Sequence, residues 1–259
     1  MTLSFSSHWH YLWLVVASSI AGVMNAMAGG GSFISFPAML AMGVAPIQSN
    51  ATNTVALWPG QLTSVAALRG DLRRDLLPVV CSASILGGVS GALVLLKTRQ
   101  ITFLHMVPWL LLGATLLFGI SGPVSRRLRG RSAQPHLQRA PALVPLFFVM
   151  LPVCFYIGYF GAGAGFLIMS ALALFGVEEM HALNSLKVLA ACLSNFCAVV
   201  TFVASGAVMW HYCFISMIFA GIGGYIGDQY ARRMNADILR TVVVVTGGIM
   251  AAYFFWKVR

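Results

Sequence analysis

Residues 161–187 read GAGAGFLIMSALALFGVEEMHALNSLK, and the interpretation of that stretch decides the fold. Three alternate glycines (Gly161, Gly163, Gly165) open it, and an apolar run over 166–177 follows, too short to cross a bilayer as a helix. Asn184, Ser185 and Lys187 close it, the lysine with apolar sequence on both sides. A second version lies upstream, where residues 29–54 read GGGSFISFPAMLAMGVAPIQSNATNT: Gly29, Gly30, Gly31 and Ser32, an apolar run over 33–45, then Asn50, Thr52, Asn53 and Thr54. Two such units in one apolar chain predict a site built from two halves.

The surrounding composition says what solvent the chain is made for. Of 259 residues 59% are hydrophobic and 8% charged, with a mean hydropathy of +0.86; a water-soluble domain carries roughly 25% charged residues. Ten apolar runs can be read, over 9–28, 33–45, 50–68, 76–96, 101–120, 141–160, 166–177, 182–205, 208–230 and 238–256. All but the two runs that follow glycine turns approach or exceed the ~20 residues of a transmembrane helix. None alternates apolar and polar residues as a barrel strand would. The expected fold class is an all-α integral membrane protein with about eight full transmembrane helices and two short half-helices after the Gly-rich turns. Ala26-Met27-Ala28 imitates a signal-peptidase site, but no Lys or Arg precedes the first run, so that run is expected to stay as the first helix.

The net charge of +10 does not point to nucleic acid, because the basic residues sit in short loops between apolar runs. Their expected partners are lipid headgroups. The five cysteines all lie inside apolar runs without CxxC or zinc spacing and are read as buried thiols.

Laying 1–120 over 141–259 exposes a duplication. Gly70, Gly87, Gly88 and Gly91 match Gly206, Gly223, Gly224 and Gly227, each 136 apart; Phe33 and Gly43 match Phe166 and Gly176 at 133; Asn53-Thr54 matches Asn184-Ser185 at 131. The chain divides into a first repeat (1–120), a basic cytoplasmic linker (121–140) whose prolines and arginines argue for a loop, and a second repeat (141–259). Loop charge arbitrates the orientation. With five segments per half and the second half inverted, eleven loop and linker arginines share one side against Lys97, Arg99, Lys257 and Arg259. Parallel halves give ten against five. Two inverted five-segment repeats are expected, an arrangement known among secondary transporters.

Chemistry-bearing residues are few. Backbone that leaves the helix inside hydrocarbon is tolerated only in protein or at a wet cavity, and a helix starting there offers unpaired amides that favour an anion. Gly30, Gly31, Ser32, Gly163, Ala164 and Gly165 are therefore candidate substrate contacts, with close helix packing as the competing explanation. Lys187 has no acidic residue near it within an apolar run; a bound anion would balance it, and snorkelling to the interface is the alternative. Asn53, Thr54, Asn184 and Ser185 would supply hydrogen bonds at matched places, with Asn25 and Thr52 beside them, or else simply join helices. Asn195 reads as helix packing. Acidic residues such as Asp75 and Glu179 fall at loop ends. No Ser/His/Asp set, HExxH or His/Cys cluster is present, so neither an enzyme nor a resident metal or other cofactor is expected.

The set Gly29-Gly30-Gly31-Ser32-Phe33 with Pro37 and Gly43, Ala51-Thr52-Asn53, Gly161 to Phe166 with Gly176, and Asn184-Ser185-Leu186-Lys187 resembles the sulfite exporter TauE/SafE family. Gly70-Asp71 and Gly87-Gly88-Val89-Ser90-Gly91 fit as well. The resemblance implies a multi-pass permease of the bacterial inner membrane for small sulfur-containing anions such as sulfite, sulfoacetate or thiosulfate. A coupling proton or sodium ion and a homo-oligomer are open partners. Ala207-Val208 follows Gly206 where Asp71-Leu72 follows Gly70, so a proton-coupling acid at that position would have no second copy. A carrier of another small solute or a metal ion, and a non-transporting membrane scaffold, remain the alternatives.

Overall fold

The computed structural model describes residues 4–28, 30–68, 70, 72–131, 142–175, 177, 179–231 and 236–257. Among them the chain is helical without strands, in the order α1 (Ser4–Ala28), α2 (Ser32–Ala41), α3 (Pro46–Leu57), α4 (Pro59–Leu68), α5 (Leu77–Lys97), α6 (Gln100–Arg131), α7 (Leu143–Tyr159), α8 (Ala164–Leu174), α9 (Met180–Ala204), α10 (Trp210–Ala231) and α11 (Ala236–Lys257).

The short helices α2 and α8 begin directly after the two glycine turns, as the apolar runs predict. Two expectations need correction. The run 50–68 is two helices rather than one, because Pro59 has no N–H to give the Val55 carbonyl and its ring crowds that carbonyl; the chain breaks at Trp58. The basic linker is not a loop in its first part, since α6 continues through Pro123 to Arg131. The rest of the linker, 132–140, lies outside the described residues, as do Gly29, Asp71 and Gly176.

Leu77–Lys97 and His181–Ala204 are long and apolar enough to cross a membrane by themselves, and Tyr11–Ala26, Gln100–Leu116, Leu143–Tyr159 and Val244–Trp256 are shorter apolar helices. Large apolar side chains cover the outside: Trp9, Trp109, Phe148, Leu174 and Trp256 are all more exposed than buried. An exterior of this kind suits hydrocarbon rather than water.

Two long pairs frame the molecule, α5 along α7 and α1 along α10. Ser84 meets Cys154 (Oγ to Sγ 3.7 Å) and, further on, Gly91 abuts Gly158. In the other pair Ser18 Oγ donates to Ser216 Oγ at 3.0 Å, and Gly227 abuts Val23. Numbering rises together along both pairs, so both run parallel. By contrast α6 and α11 run antiparallel: Trp109 meets Phe255 edge-on at 5.0 Å, Thr115 touches Gly247, and Gly119 faces Val244. Between these pairs the Phe36 ring contacts Phe103, Phe160 and Phe254, joining α2, α6, the end of α7 and α11 into the core.

Candidate functional site

Each glycine turn ends one helix and aims the next back inward. At the second turn Gly161 (φ +78°) and Gly163 (φ +72°) occupy left-handed backbone that costs a side-chain-bearing residue about 1–2 kcal/mol. Tyr156 Oη fixes the bend by donating to the Ala162 carbonyl at 2.8 Å. The first turn is built differently. Gly31 is right-handed and is needed for space, since a methyl group there would strike the Ala21 carbonyl and the Asn25 side chain. The turns are neighbours: a Cβ on Gly163 would lie 3.6 Å from Cζ of Phe33, the second residue of α2, and 3.2 Å from Ala114. Their common surface is apolar. An open groove of about 290 Å³ beside the second turn is likewise lined by apolar residues, among them Trp109, Ala114, Val153 and Leu167, together with Tyr156.

On α3, Ser49, Asn50, Thr52 and Asn53 are buried and Thr54 is half-buried, and all five bond within the protein. Asn53 Nδ2 donates to Ser32 Oγ at 3.1 Å, and its Oδ1 accepts from Ser35 Oγ. Thr52 Oγ1 accepts from the Met209 amide at 2.9 Å, and Thr54 Oγ1 donates to the Asn50 carbonyl at 2.9 Å. Asn50 Nδ2 donates to the Tyr159 carbonyl at 3.1 Å, while its Oδ1 is buried without a hydrogen-bond partner. At α2 the amides of Phe33 and Ile34 already bond the Gly30 and Gly31 carbonyls, so fewer bare amides face outward than the sequence suggests.

The second half is arranged otherwise. Lys187 is the eighth residue of α9, which starts at Met180, two residues before the apolar run does. Its stem crosses the first turn of α8, where Cδ lies 3.4 Å from the Cβ position of Gly165. Among the described residues no hydrogen bond or ion pair reaches its ammonium; the single salt bridge there joins Arg73 and Asp75, a surface pair in which the guanidinium holds the carboxyl below the usual carboxylate range. Asn184 and Lys187 are half-buried on the same helix; Ser185 is buried and donates to the Ala182 carbonyl at 3.0 Å.

A spacing of 134 residues recurs in the structure. Helices α3 and α9 start 134 residues apart, and two contacts join residues at that same spacing. Trp58 Nε1 donates to the Cys192 carbonyl at 3.1 Å, and Asn195 Nδ2 donates to Gln61 Oε1 at 3.1 Å. Aligned at this spacing, Asn50 falls on Asn184 and Asn53 on Lys187, whereas the alignment at 131 sets Asn53 on Asn184. The contacts agree: Asn53 reaches Ser32 as Lys187 reaches Gly165. Asn195 joins α9 to α4 through Gln61, as the packing reading expects, and its Oδ1 also lies 3.6 Å from the Cβ position of Gly161, at the turn itself. Gln61 was missed. Its signal is the amide that follows Pro59-Gly60, 134 residues before another amide.

Turn, short helix and amide-bearing helix, present in each half, are the features on which the family resemblance rests, and residues 14–254 match the family described as sulfite exporter TauE/SafE. The chain belongs to that family. Similar proteins include a probable membrane transporter protein, ORF9, from Sinorhizobium sp, 30% identical over 242 residues, which are 92% of this chain and 89% of the relative. The probable membrane transporter protein YfcA of Escherichia coli strain K12 is 25% identical over 248 residues, 92% of this chain and 87% of its own length. A probable membrane transporter protein of Haemophilus influenzae is 26% identical over 237 residues, 90% and 89% of the two chains. No solved structure matches.

Proposed function

We propose that this member of the TauE/SafE family is a secondary transporter that moves a small sulfur-containing oxyanion, such as sulfite, thiosulfate or an organosulfonate, across the bacterial inner membrane by alternating access. A proton or sodium gradient would drive it. Its halves are two inverted five-segment repeats. Three observations support that architecture. Helices α6 and α11 start 136 residues apart and run antiparallel; equivalent helices of a parallel repeat would point the same way. The α5–α7 contact has its counterpart in α1–α10, the reciprocity expected of a two-fold relation. Gly87 meets Cys154 as Gly223, 136 residues later, meets Ser19.

Within this framework the anion lies against Gly163, Ala164 and Gly165 at the start of α8, with Lys187 balancing its charge and Asn184 and Ser185 alongside. Asn25, Gly30, Gly31, Ser32, Thr52, Asn53 and Thr54 form the opposing wall from the first half. The observation that carries the reading is Lys187, whose stem crosses Gly165 and whose ammonium has no partner among the described residues. Placing such a charge mid-helix costs about 2.5–3.5 kcal/mol on insertion scales, and an anionic guest offsets that cost.

Lys187→Ala is expected to reduce sulfite or sulfonate flux into proteoliposomes at least tenfold while the protein elutes and melts as the parent does. Undiminished flux removes Lys187 from the mechanism. If no sulfur oxyanion is carried by the parent while another solute is, competition assays will identify the cargo class. A scaffold would show no flux of any solute and no labelling of an Asn184→Cys variant by an impermeant thiol reagent in a cysteine-free background.

A further inference from the structure

The two short helices are held by different chemistry. In the first half, Asn53 of α3 forms a clasp on α2, giving its amide hydrogen to Ser32 and taking one from Ser35. These three positions correspond, at spacings of 133, 133 and 134, to Gly165, Ile168 and Lys187. Both hydroxyls are therefore missing from α8, and the amide is replaced by an ammonium that cannot accept a hydrogen bond. Helix α2 buries Phe33, Ser35, Phe36, Ala38 and Met39, whereas the described side chains of α8 that are buried are Ile168, Ala171 and Leu172, and Leu174 is 76% exposed. The turn before α8 carries two left-handed glycines, and the described residues of the turn before α2 carry none.

We propose that the halves divide the work: α2 is a fixed wall and α8 the moving gate, released because Lys187 stands where a clasping amide would be. Resting on the oxyanion reading above, the bound anion then acts as the missing clasp. It accepts from Lys187 Nζ and from the first amides of α8, and so closes the gate over itself.

Hydrogen exchange of the full-length protein in nanodiscs tests this without assuming a substrate. With no anion added, amides of α8 are expected to exchange faster than those of α2. Transplanting the clasp by Gly165→Ser, Ile168→Ser and Lys187→Asn together should slow α8 roughly tenfold, the effect of about two neutral hydrogen bonds, and leave α2 unchanged. Removing the clasp by Ser32→Ala with Ser35→Ala should raise α2 exchange toward that of α8, and this variant decides the matter if the transplant does not fold. Equal exchange of α2 and α8 in the parent, or an α2 indifferent to loss of its serines, overturns the proposal. Sulfite or thiosulfate should protect α8 in the parent and add nothing in the transplant. If the asymmetry appears and neither anion changes α8, the fixed wall and moving gate stand, and the sulfur-oxyanion reading is what fails.

Discussion

At the scale of single residues, Lys187 was readable from its surroundings: a charge in an apolar run with no carboxylate within reach attracts attention in any membrane chain. Its relation to Gly165 was not readable, because residues 22 apart meet only when α9 folds back along α8. The turn glycines divide in a similar way. Alternation suggested that Gly161 and Gly163 form a bend; only the backbone shows that both are left-handed, while Gly31 is right-handed and kept small by the Ala21 carbonyl. Gly163→Ala combines strain with a Cβ 3.2 Å from Ala114, whereas Gly206→Ala, at φ +69° with nothing within 4 Å, adds strain alone. Both should destabilise, Gly206→Ala by about 1 kcal/mol and Gly163→Ala by about 2 kcal/mol. Thermal unfolding in detergent reads the order, and the two variants melt alike if Ala114 yields freely.

At the scale of elements, hydropathy located nearly every helix but misjudged where two of them end. The run 50–68 is apolar enough to pass as one helix, yet Pro59 divides it, and the division turns Trp58 and Gln61 toward α9. Proline does not always divide a helix, since Pro37 and Pro152 lie within α2 and α7, but Pro59 does. Replacing it is informative: Pro59→Ala restores the N–H and lets α3 and α4 approach one continuous helix. The expected result is loss of the Gln61–Asn195 bond and a severalfold fall in flux with the fold intact. Retained flux would mean that the break has no role beyond packing. The opposite misjudgment came at 121–131, where the charge run and Pro123 suggested a loop although α6 had enough turns behind it to continue to Arg131.

At the scale of the whole molecule, Gly87, Gly91, Gly223 and Gly227, two pairs at 136-residue spacing, lie at helix contacts, whereas a Cβ on Gly70 or Gly206 would touch nothing. Gly87 and Gly91 let α7 press on α5, and Gly223 and Gly227 let α1 press on α10. Because the contacts are reciprocal, Gly87→Ala and Gly223→Ala should cost similar amounts, about 2–3 kcal/mol each from forced separation of backbones. Gly113→Ala on α6, where nothing lies within 4 Å, should be neutral or stabilising by up to about 1 kcal/mol. A thermal melt of the three variants checks this; a neutral Gly223→Ala beside a costly Gly87→Ala would break the reciprocity.

Composition and pattern by themselves determined the helical class, the apolar solvent, the two bends and the residues around which a site could form, because these are properties of local runs and their spacing. Tertiary structure decided which hydrogen bonds were already taken. Asn53 and Lys187 look like equal candidates along the chain, but Asn53 lies against two serines that occupy it, whereas Lys187 lies against a glycine that leaves its charge unanswered. A polar group's availability depends on what the fold sets within about 3 Å of it, and no amount of sequence spacing contains that distance.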